Sequence, residues 1–242
     1  MTDWLERTAL IMGEDSIAKL KSAHVLIVGL GGVGSFAAEF IARSGVGQMT
    51  IIDGDAFDIT NKNRQLMALD STIGKNKAVV LGEKLMDINR ELKLNIVQEF
   101  VEPSRVWELL KEFKPSYVMD CIDSVSPKIE WIIACKALKI KVITHLGAGG
   151  KTDPSKVQVA RLIHSHNCQL GTHLKKRLKR KNLGIEKIKC VFSSELQQKD
   201  SLKMTDGSNY KRSFYGTVSY MPALFGLMGA AEVIRYLTKR SV

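Results

Sequence analysis

The chain has 242 residues, 45% of them hydrophobic and 25% charged, and a formal net charge of +11. That length allows one domain with a sizeable core, and the composition is that of an ordinary soluble protein, not a disordered or fibrous one. No apolar run approaches the roughly 18 residues of a membrane span, and the N-terminus Met1-Thr2-Asp3-Trp4-Leu5-Glu6 lacks the basic-then-apolar order of a signal peptide, so the expected compartment is cytoplasmic.

The four cysteines, Cys121, Cys135, Cys168 and Cys190, form no C-x-x-C pair. That spacing argues against a structural zinc site and suits free thiols in a reducing compartment. The large basic excess points to a polyanionic partner, because affinity for nucleic acid is largely phosphate neutralisation. A basic surface that serves only solubility is the alternative.

In chain order, residues 3–21 read as an amphipathic helix pair broken near Gly13. A strand over 24–28 then runs into the cluster Gly29-Leu30-Gly31-Gly32-Val33-Gly34 and a helix over 33–43. Strand, glycine turn and helix N-terminus together form a phosphate cradle. Gly29 permits the turn, Gly31 lets the backbone approach an anion, and Gly34 allows close helix–strand packing. A second strand over 49–52 ends at Asp53, nineteen residues past Gly34, where an acid can hydrogen-bond a ribose. Helices over 76–89, 104–113 and 127–138 alternate with strands over 94–100, 117–119 and 142–145. Continuous apolar strands separated by helices of this length predict an α/β, Rossmann-like, doubly wound and mostly parallel sheet with helices on both faces.

After Gly147-Ala148-Gly149-Gly150 the pattern changes. Residues 157–162 alternate as an added strand, antiparallel by expectation, 168–180 form a basic helix and 188–192 a short strand. Residues 195–212, which contain Asp206-Gly207-Ser208-Asn209, read as a mobile loop, and 218–237 as a helix with Pro222 in its first turn.

Ligands of a doubly wound sheet sit beyond the carboxyl ends of the strands. Asp53, Gly54-Asp55, the Asn61–Arg64 loop and Asp123 therefore converge on the mouth held by the glycine turn, with Lys77 near it at the start of the next helix. Two cations, a carboxylate able to take Mg²⁺ and a phosphate cradle suit a nucleoside triphosphate attacked at its α-phosphorus. Arg64 and Lys77 would neutralise charge on the phosphoryl oxygens, and Asp123 would hold the metal. An NAD-dependent oxidoreductase would use the glycine turn and Asp53 but leave Arg64, Lys77 and Asp123 idle, and a nucleotide-sensing module is a third reading. The run Lys175-Lys176-Arg177-Leu178-Lys179-Arg180-Lys181 carries six basic residues in seven positions. Leu170, Leu174 and Leu178 recur at helical spacing, so one face docks on the protein while the cations meet phosphates or merely solvent.

The segments Val28-Gly29-Leu30-Gly31-Gly32-Val33-Gly34-Ser35, Ile52-Asp53-Gly54-Asp55, Asn61-Lys62-Asn63-Arg64-Gln65, Gly74-Lys75-Asn76-Lys77 and Asp120-Cys121-Ile122-Asp123-Ser124 together resemble the adenylation core of the E1-like superfamily. The resemblance is dense over about residues 5–150 and looser beyond. Within that superfamily, Arg43-Ser44-Gly45-Val46-Gly47, Gly147-Ala148-Gly149-Gly150-Lys151-Thr152-Asp153-Pro154, Val191-Phe192-Ser193-Ser194-Glu195 and the basic insert between the last two resemble the tRNA threonylcarbamoyladenosine dehydratases. The resemblance implies one adenylation domain over 1–242: an N-terminal helical segment over 1–22, a nucleotide-binding core over 23–150 and a substrate side over 151–242. It implies ATP held by Gly32, Asp53, Asn61, Arg64, Lys77 and Asp123, a homodimer in which Arg7 reaches the partner's site, and tRNA as substrate. A sulfur-relay protein is a further candidate partner. Activators of small sulfur-carrier proteins share the core, but their paired zinc cysteines are absent, and no cysteine stands in the segment 213–222 where theirs precedes the last helix. Cys121, at a buried strand end, reads as packing more than chemistry.

Overall fold

The sheet grows outward from the strand that ends in the glycine turn. The structure is a computed structural model that describes residues 4–204 and 213–239. Two short helices, α1 (Glu6–Met12) and α2 (Glu14–Ser22), meet at Gly13, as the sequence expects. They lead into β1 (His24–Val28), α3 (Gly34–Arg43), β2 (Gln48–Ile52), α4 (Lys77–Ile88), β3 (Lys93–Val97), α5 (Pro103–Phe113), β4 (Tyr117–Asp120), α6 (Val125–Ala137) and β5 (Lys141–His145). The C-terminal third adds β6 (Val157–Arg161), α7 (Gln169–Arg180), β7 (Lys189–Ser193), β8 (Leu202–Met204), β9 (Ser213–Tyr215) and α8 (Tyr220–Leu237).

Among the described residues seven strands form one sheet, in the order β3-β2-β1-β4-β5-β7-β6. All pairs are parallel except β6–β7, which is antiparallel at the edge, as expected. Period-two alternation in β1 splits the core. Val25 and Ile27 face the layer of α3, α4 and α8, while Leu26 and Val28 face α5 and α6. A third apolar cluster joins α6 to α7 and β7 through Ile129, Ile132, Leu174, Leu178 and Phe192. Chain order reverses direction between β1 and β4, so the crevice at their carboxyl ends is the topological switch point.

Two expectations are corrected. The strand expected over 94–100 stops at Val97, because its ladder partner β2 ends there: the Asp53 N–H donates to the Val97 carbonyl at 3.1 Å and the chain turns at Gly54. The mobile loop expected over 195–212 is in part structured. A 3-10 turn (Lys199–Ser201) leads into β8, which pairs antiparallel with β9. Strands of three residues are too short for alternation to register in sequence. Residues 205–212, which include Asp206-Gly207-Ser208-Asn209, lie outside the described residues.

The long helix α8 closes one face by packing on α3, and a Cβ at Gly226 would stand 2.4 Å from the Val33 carbonyl oxygen. Gly226→Ala is therefore expected to lower stability by about 1–3 kcal/mol through overpacking, read as a fall in melting temperature. An unchanged melting temperature would show that α8 can shift without loss.

Candidate functional site

The register of the central strands places the site. Val28 is paired with Ile52 on one side and with Asp120 on the other, so Gly29 sits between Asp53 and Cys121. Its N–H donates to the Ile52 carbonyl at 2.9 Å, and its φ of +84° suits glycine. A Cβ on Gly34 would lie 1.8 Å from the Gly29 carbonyl oxygen, so the turn closes on α3 only without one. Gly31 is different: a Cβ there would meet only the Gln65 amide, at 3.6 Å. Its missing side chain leaves open space over the start of α3, which carries no side-chain cap. Uncapped N–H groups at a helix start are an anion site.

Asp53 holds this turn in place. Its Oδ2 accepts the Leu30 N–H at 2.6 Å and its Oδ1 the Asp55 N–H at 2.8 Å. Both oxygens of the expected ribose ligand thus already brace backbone, and each carboxylate oxygen has a further lone pair to offer. Burial pushes the Asp53 carboxyl above its usual range, against the pull of Lys77. Lys77 is buried, with Nζ 3.0 Å from Asp55 Oδ2. Asn76 caps α4 by accepting the N–H groups of Ala78 and Val79, which fixes where Lys77 enters the site.

The Asn61–Arg64 loop starts on a 3-10 turn (Ile59–Asn61) closed by a capping box. Asp58 accepts the Thr60 N–H, and the buried Asn61 Oδ1 accepts the Asp58 N–H at 3.2 Å. Arg64 donates to the Thr60 carbonyl at 2.8 Å and to Asn63 Oδ1 at 2.9 Å, while Asn63 Nδ2 donates to the Thr217 carbonyl ahead of α8. Sequence reading passed over Gln65 as a site residue. It is buried beside Gly31, and its Oε1 has no partner within the protein. Its place at the end of the Asn61–Gln65 motif was the available signal.

At the opposite wall β4 ends at Asp120, and Asp123 lies exposed in the loop before α6, three residues beyond the strand end that sequence reading gave it. Two fully buried charges fix this loop. Lys128 Nζ lies 2.9 Å from Asp120 Oδ2 and donates to the Ile122 carbonyl at 2.7 Å, while Asp120 also accepts Thr144 Oγ1–H and the Ile122 N–H. Cys121 packs against His145 Nδ1 at 3.4 Å, and burial together with the Asp120 charge pushes its thiol up, so it stays protonated. His145 Nδ1 lies 3.0 Å from the Asp120 carbonyl, and Nε2 faces Gly229, where there is no room for a Cβ.

Arg7 stands exposed on α1, outside the set that the strand ends bring together. On α7, Leu174 and Leu178 are buried and Leu170 half-buried, as their spacing expects. Of the basic run, Lys176, Lys179 and Arg180 face solvent. Lys175 folds back on the Ser165 carbonyl and Lys181 pairs with Glu130 at 3.7 Å. Arg177 donates to Ser126 Oγ at 2.9 Å, which ties the basic helix to the first turn of α6, next to Asp123. Among the described residues no group of three or more His, Cys, Asp and Glu is arranged to hold a metal, and no helix is long and apolar enough to cross a membrane.

Burial lowers the His145 pKa from 6.5 to about 4, and burial also lowers that of His24. Between those two values the unfolded chain binds more protons than the folded one, so stability falls as pH drops. The His145 share amounts to at most about 1.4 kcal/mol per pH unit. Denaturation followed from neutral pH down to about pH 4 should show a shallower loss in His145→Asn, which leaves the opposite contribution of Asp53 in place. Parallel curves would contradict the assignment.

The chain matches the model of the ThiF family over residues 5–242. It is 36% identical over 259 residues to a tRNA threonylcarbamoyladenosine dehydratase of Escherichia coli (strain K12), covering 98% of this chain and 96% of that one. To a tRNA threonylcarbamoyladenosine dehydratase of Bacillus subtilis (strain 168) it is 31% identical over 247 residues, covering 99% and 96%. The crystal structure of the E. coli tRNA N6-threonylcarbamoyladenosine dehydratase in complex with ATP superposes with a TM-score of 0.86 at 35% identity, covering 98% of this chain and 96% of that one. A glycine cradle braced by an aspartate at the switch point of the sheet, and similarity along nearly the whole chain, lead to one conclusion: the chain belongs to the ThiF family.

Proposed function

We propose that this protein is an ATP-dependent tRNA threonylcarbamoyladenosine dehydratase, acting on the modified adenosine at position 37. The observation that carries the reading is the Arg177–Ser126 hydrogen bond. It sets a helix of phosphate-binding character at the rim of a nucleotide cradle, so that a tRNA held by one reaches the other. Of the run Lys175, Lys176, Arg177, Lys179, Arg180 and Lys181, the solvent-facing Lys176, Lys179 and Arg180 contact tRNA directly, and the other three do so only by giving up their partners within the protein.

In the reaction, the carboxylate of the threonylcarbamoyl group attacks the α-phosphorus of ATP and pyrophosphate leaves. The substrate's own carbamoyl group then closes on the acyl-adenylate and AMP leaves, for a net loss of water. Gly29, Gly31, Gly32 and Gly34 shape the phosphate cradle, and Asp53 offers its remaining lone pairs to the ribose. Lys77 has three N–H donors, of which Asp55 takes one, leaving two for phosphoryl oxygens. Arg64, folded back on its own loop at Thr60 and Asn63, supplies the second cation, and Asn61 holds that loop. A single exposed carboxylate such as Asp123 suits Mg²⁺, which commonly takes one or two carboxylates with phosphate oxygens and waters. When bound, the metal offsets charge on the phosphates. An intramolecular nucleophile gains high effective molarity, so the protonated, half-buried Cys121 has no covalent part to play. A homodimer in the cytoplasm completes the reading. Leu10 and Ile11 are exposed on α1 beside Arg7, as a helix that meets a partner subunit would present them.

ATP with Mg²⁺ should raise the melting temperature and NAD should not. Arg64→Ala and Lys77→Ala should each slow ATP-dependent release of AMP by about a hundredfold or more, as lost transition-state stabilisation does. Asp123→Ala should abolish release in a folded protein. Near-normal turnover in Asp123→Ala would move the metal site elsewhere, and AMP release with a sulfur-carrier protein but not with tRNA would replace the reading.

Neutralising Lys176, Lys179 and Arg180 should leave ATP binding unchanged. It should flatten the log–log dependence of tRNA affinity on salt by roughly one unit per lost phosphate contact. Matching slopes in variant and wild type would make α7 a solvated face only.

A further inference from the structure

The hairpin of β8 and β9 is a feature that the nucleotide chemistry does not use. Its foot is stitched to the Gly149–Gly150 turn from both sides. The Gly150 N–H donates to the Gly216 carbonyl at 2.8 Å, the Gln198 N–H to the Gly150 carbonyl at 2.9 Å, and the Gly216 N–H to the Ser201 carbonyl at 2.8 Å. The floor under it is rigid. Lys151, almost fully buried, donates from Nζ to the carbonyls of Asn167, Ser193 and Glu195, at 2.7–2.9 Å. Tyr215 packs on the floor, since a Cβ at Gly149 would stand 2.9 Å from the Tyr215 Cβ and one at Gly150 3.0 Å from its ring.

Register then decides what faces outward. Leu202 is paired with Tyr215 and Lys203 with Phe214, and neighbours along a strand point to opposite faces. With the Tyr215 face turned to the glycines, Lys203 and Phe214 stand side by side on the outer face. Both are exposed, Phe214 at 42%. An exposed phenylalanine beside a lysine is the pairing that binds single-stranded nucleic acid: the ring offers a surface for a base, and the ammonium meets its phosphate.

Position fits the pairing. Thr217, three residues past Phe214, accepts from Asn63 in the Arg64 loop, and three residues span at most about 10 Å. On the other side Gln197 bridges the hairpin's approach to α7, with Oε1 accepting the Gln169 N–H at 3.0 Å and Nε2 donating to the Gly149 carbonyl at 3.2 Å. The outer face therefore lies between the nucleotide mouth and the basic helix.

We infer that the Lys203–Phe214 face of the hairpin is a stacking platform for an unpaired base of the RNA loop next to the modified adenosine. The inference rests on the tRNA reading above and goes beyond it. Helix α7 takes phosphates without regard to sequence, whereas the hairpin holds the loop open so that one nucleoside enters the mouth.

The test uses the full-length protein and an anticodon stem-loop RNA with 2-aminopurine beside adenosine 37. Wild type should quench the probe. Phe214→Ala should abolish the quenching, weaken RNA binding by about tenfold or more, as the loss of one stacked base does, and raise KM for tRNA with KM for ATP unchanged. Phe214→Trp should restore all three. Lys203→Ala should keep the quenching and lose only salt-dependent affinity. Equal quenching in Phe214→Ala and wild type overturns the inference, and so does equal damage from alanine and tryptophan, which would mark Phe214 as packing. If Phe214→Ala instead changes the oligomeric mass, a second copy of the chain covers this face. Each of these results stands beside normal wild-type turnover of tRNA, and absent wild-type turnover would overturn the function itself.

Discussion

The Asp53 carboxylate extends the β1–β2 ladder past its end and ties together the two loops that follow. One oxygen accepts from Leu30 inside the glycine turn and the other from Asp55, whose own carboxylate meets Lys77. One side chain thereby fixes the glycine turn and, through Asp55, the place of the Lys77 ammonium. The cost is visible in the carboxyl itself, which burial pushes up while Lys77 pulls it down. Charged groups with hydrogen bonds on both oxygens tolerate such burial; an unpaired one would not.

The opposite wall follows the same logic with a different pair. Lys128 and Asp120 are wholly buried, and each satisfies further partners: the Ile122 carbonyl for the lysine, Thr144 and the Ile122 N–H for the aspartate. Such a pair contributes little net stability, but breaking it costs on the order of 3–5 kcal/mol because a charge is left alone in the core. What the pair secures is the shape of the segment 120–123, and so the place of Asp123 in the loop before α6. His145 and Cys121, packed beside it, stay neutral for the same reason of burial.

The parallel core was legible because each of its strands is an apolar run closed by a turn or helix signal, and because glycine clusters have few meanings at a strand end. Asp53 and Asp123 stood out because each lies just past a strand end, and Asn61, Arg64 and Lys77 because their motifs fill the connection from β2 to α4. Their contacts were not legible. Asp53 reads as a ribose ligand, yet its partners within the protein are backbone N–H groups, one of them Leu30, 23 residues away in sequence. The burial of Lys128 and Lys151 was not legible either, because it depends on carbonyls and carboxylates that only the tertiary fold brings round a lysine. The β8–β9 hairpin was hidden by its brevity and by the polar residues around it. The outer face of Phe214 follows from the β8–β9 register and from the packing of Tyr215 on Gly149 and Gly150, neither of which sequence specifies.

The central claim is that the cradle and the basic helix serve one dehydration of a tRNA nucleoside driven by ATP. Mass spectrometry of nucleosides recovered from threonylcarbamoyladenosine-containing tRNA after incubation with the protein tests it most directly. With ATP the account predicts a nucleoside lighter by one water molecule, formed in step with AMP and pyrophosphate, and none without ATP. Starting nucleoside recovered unchanged, from a protein that binds both ATP and tRNA, would contradict it.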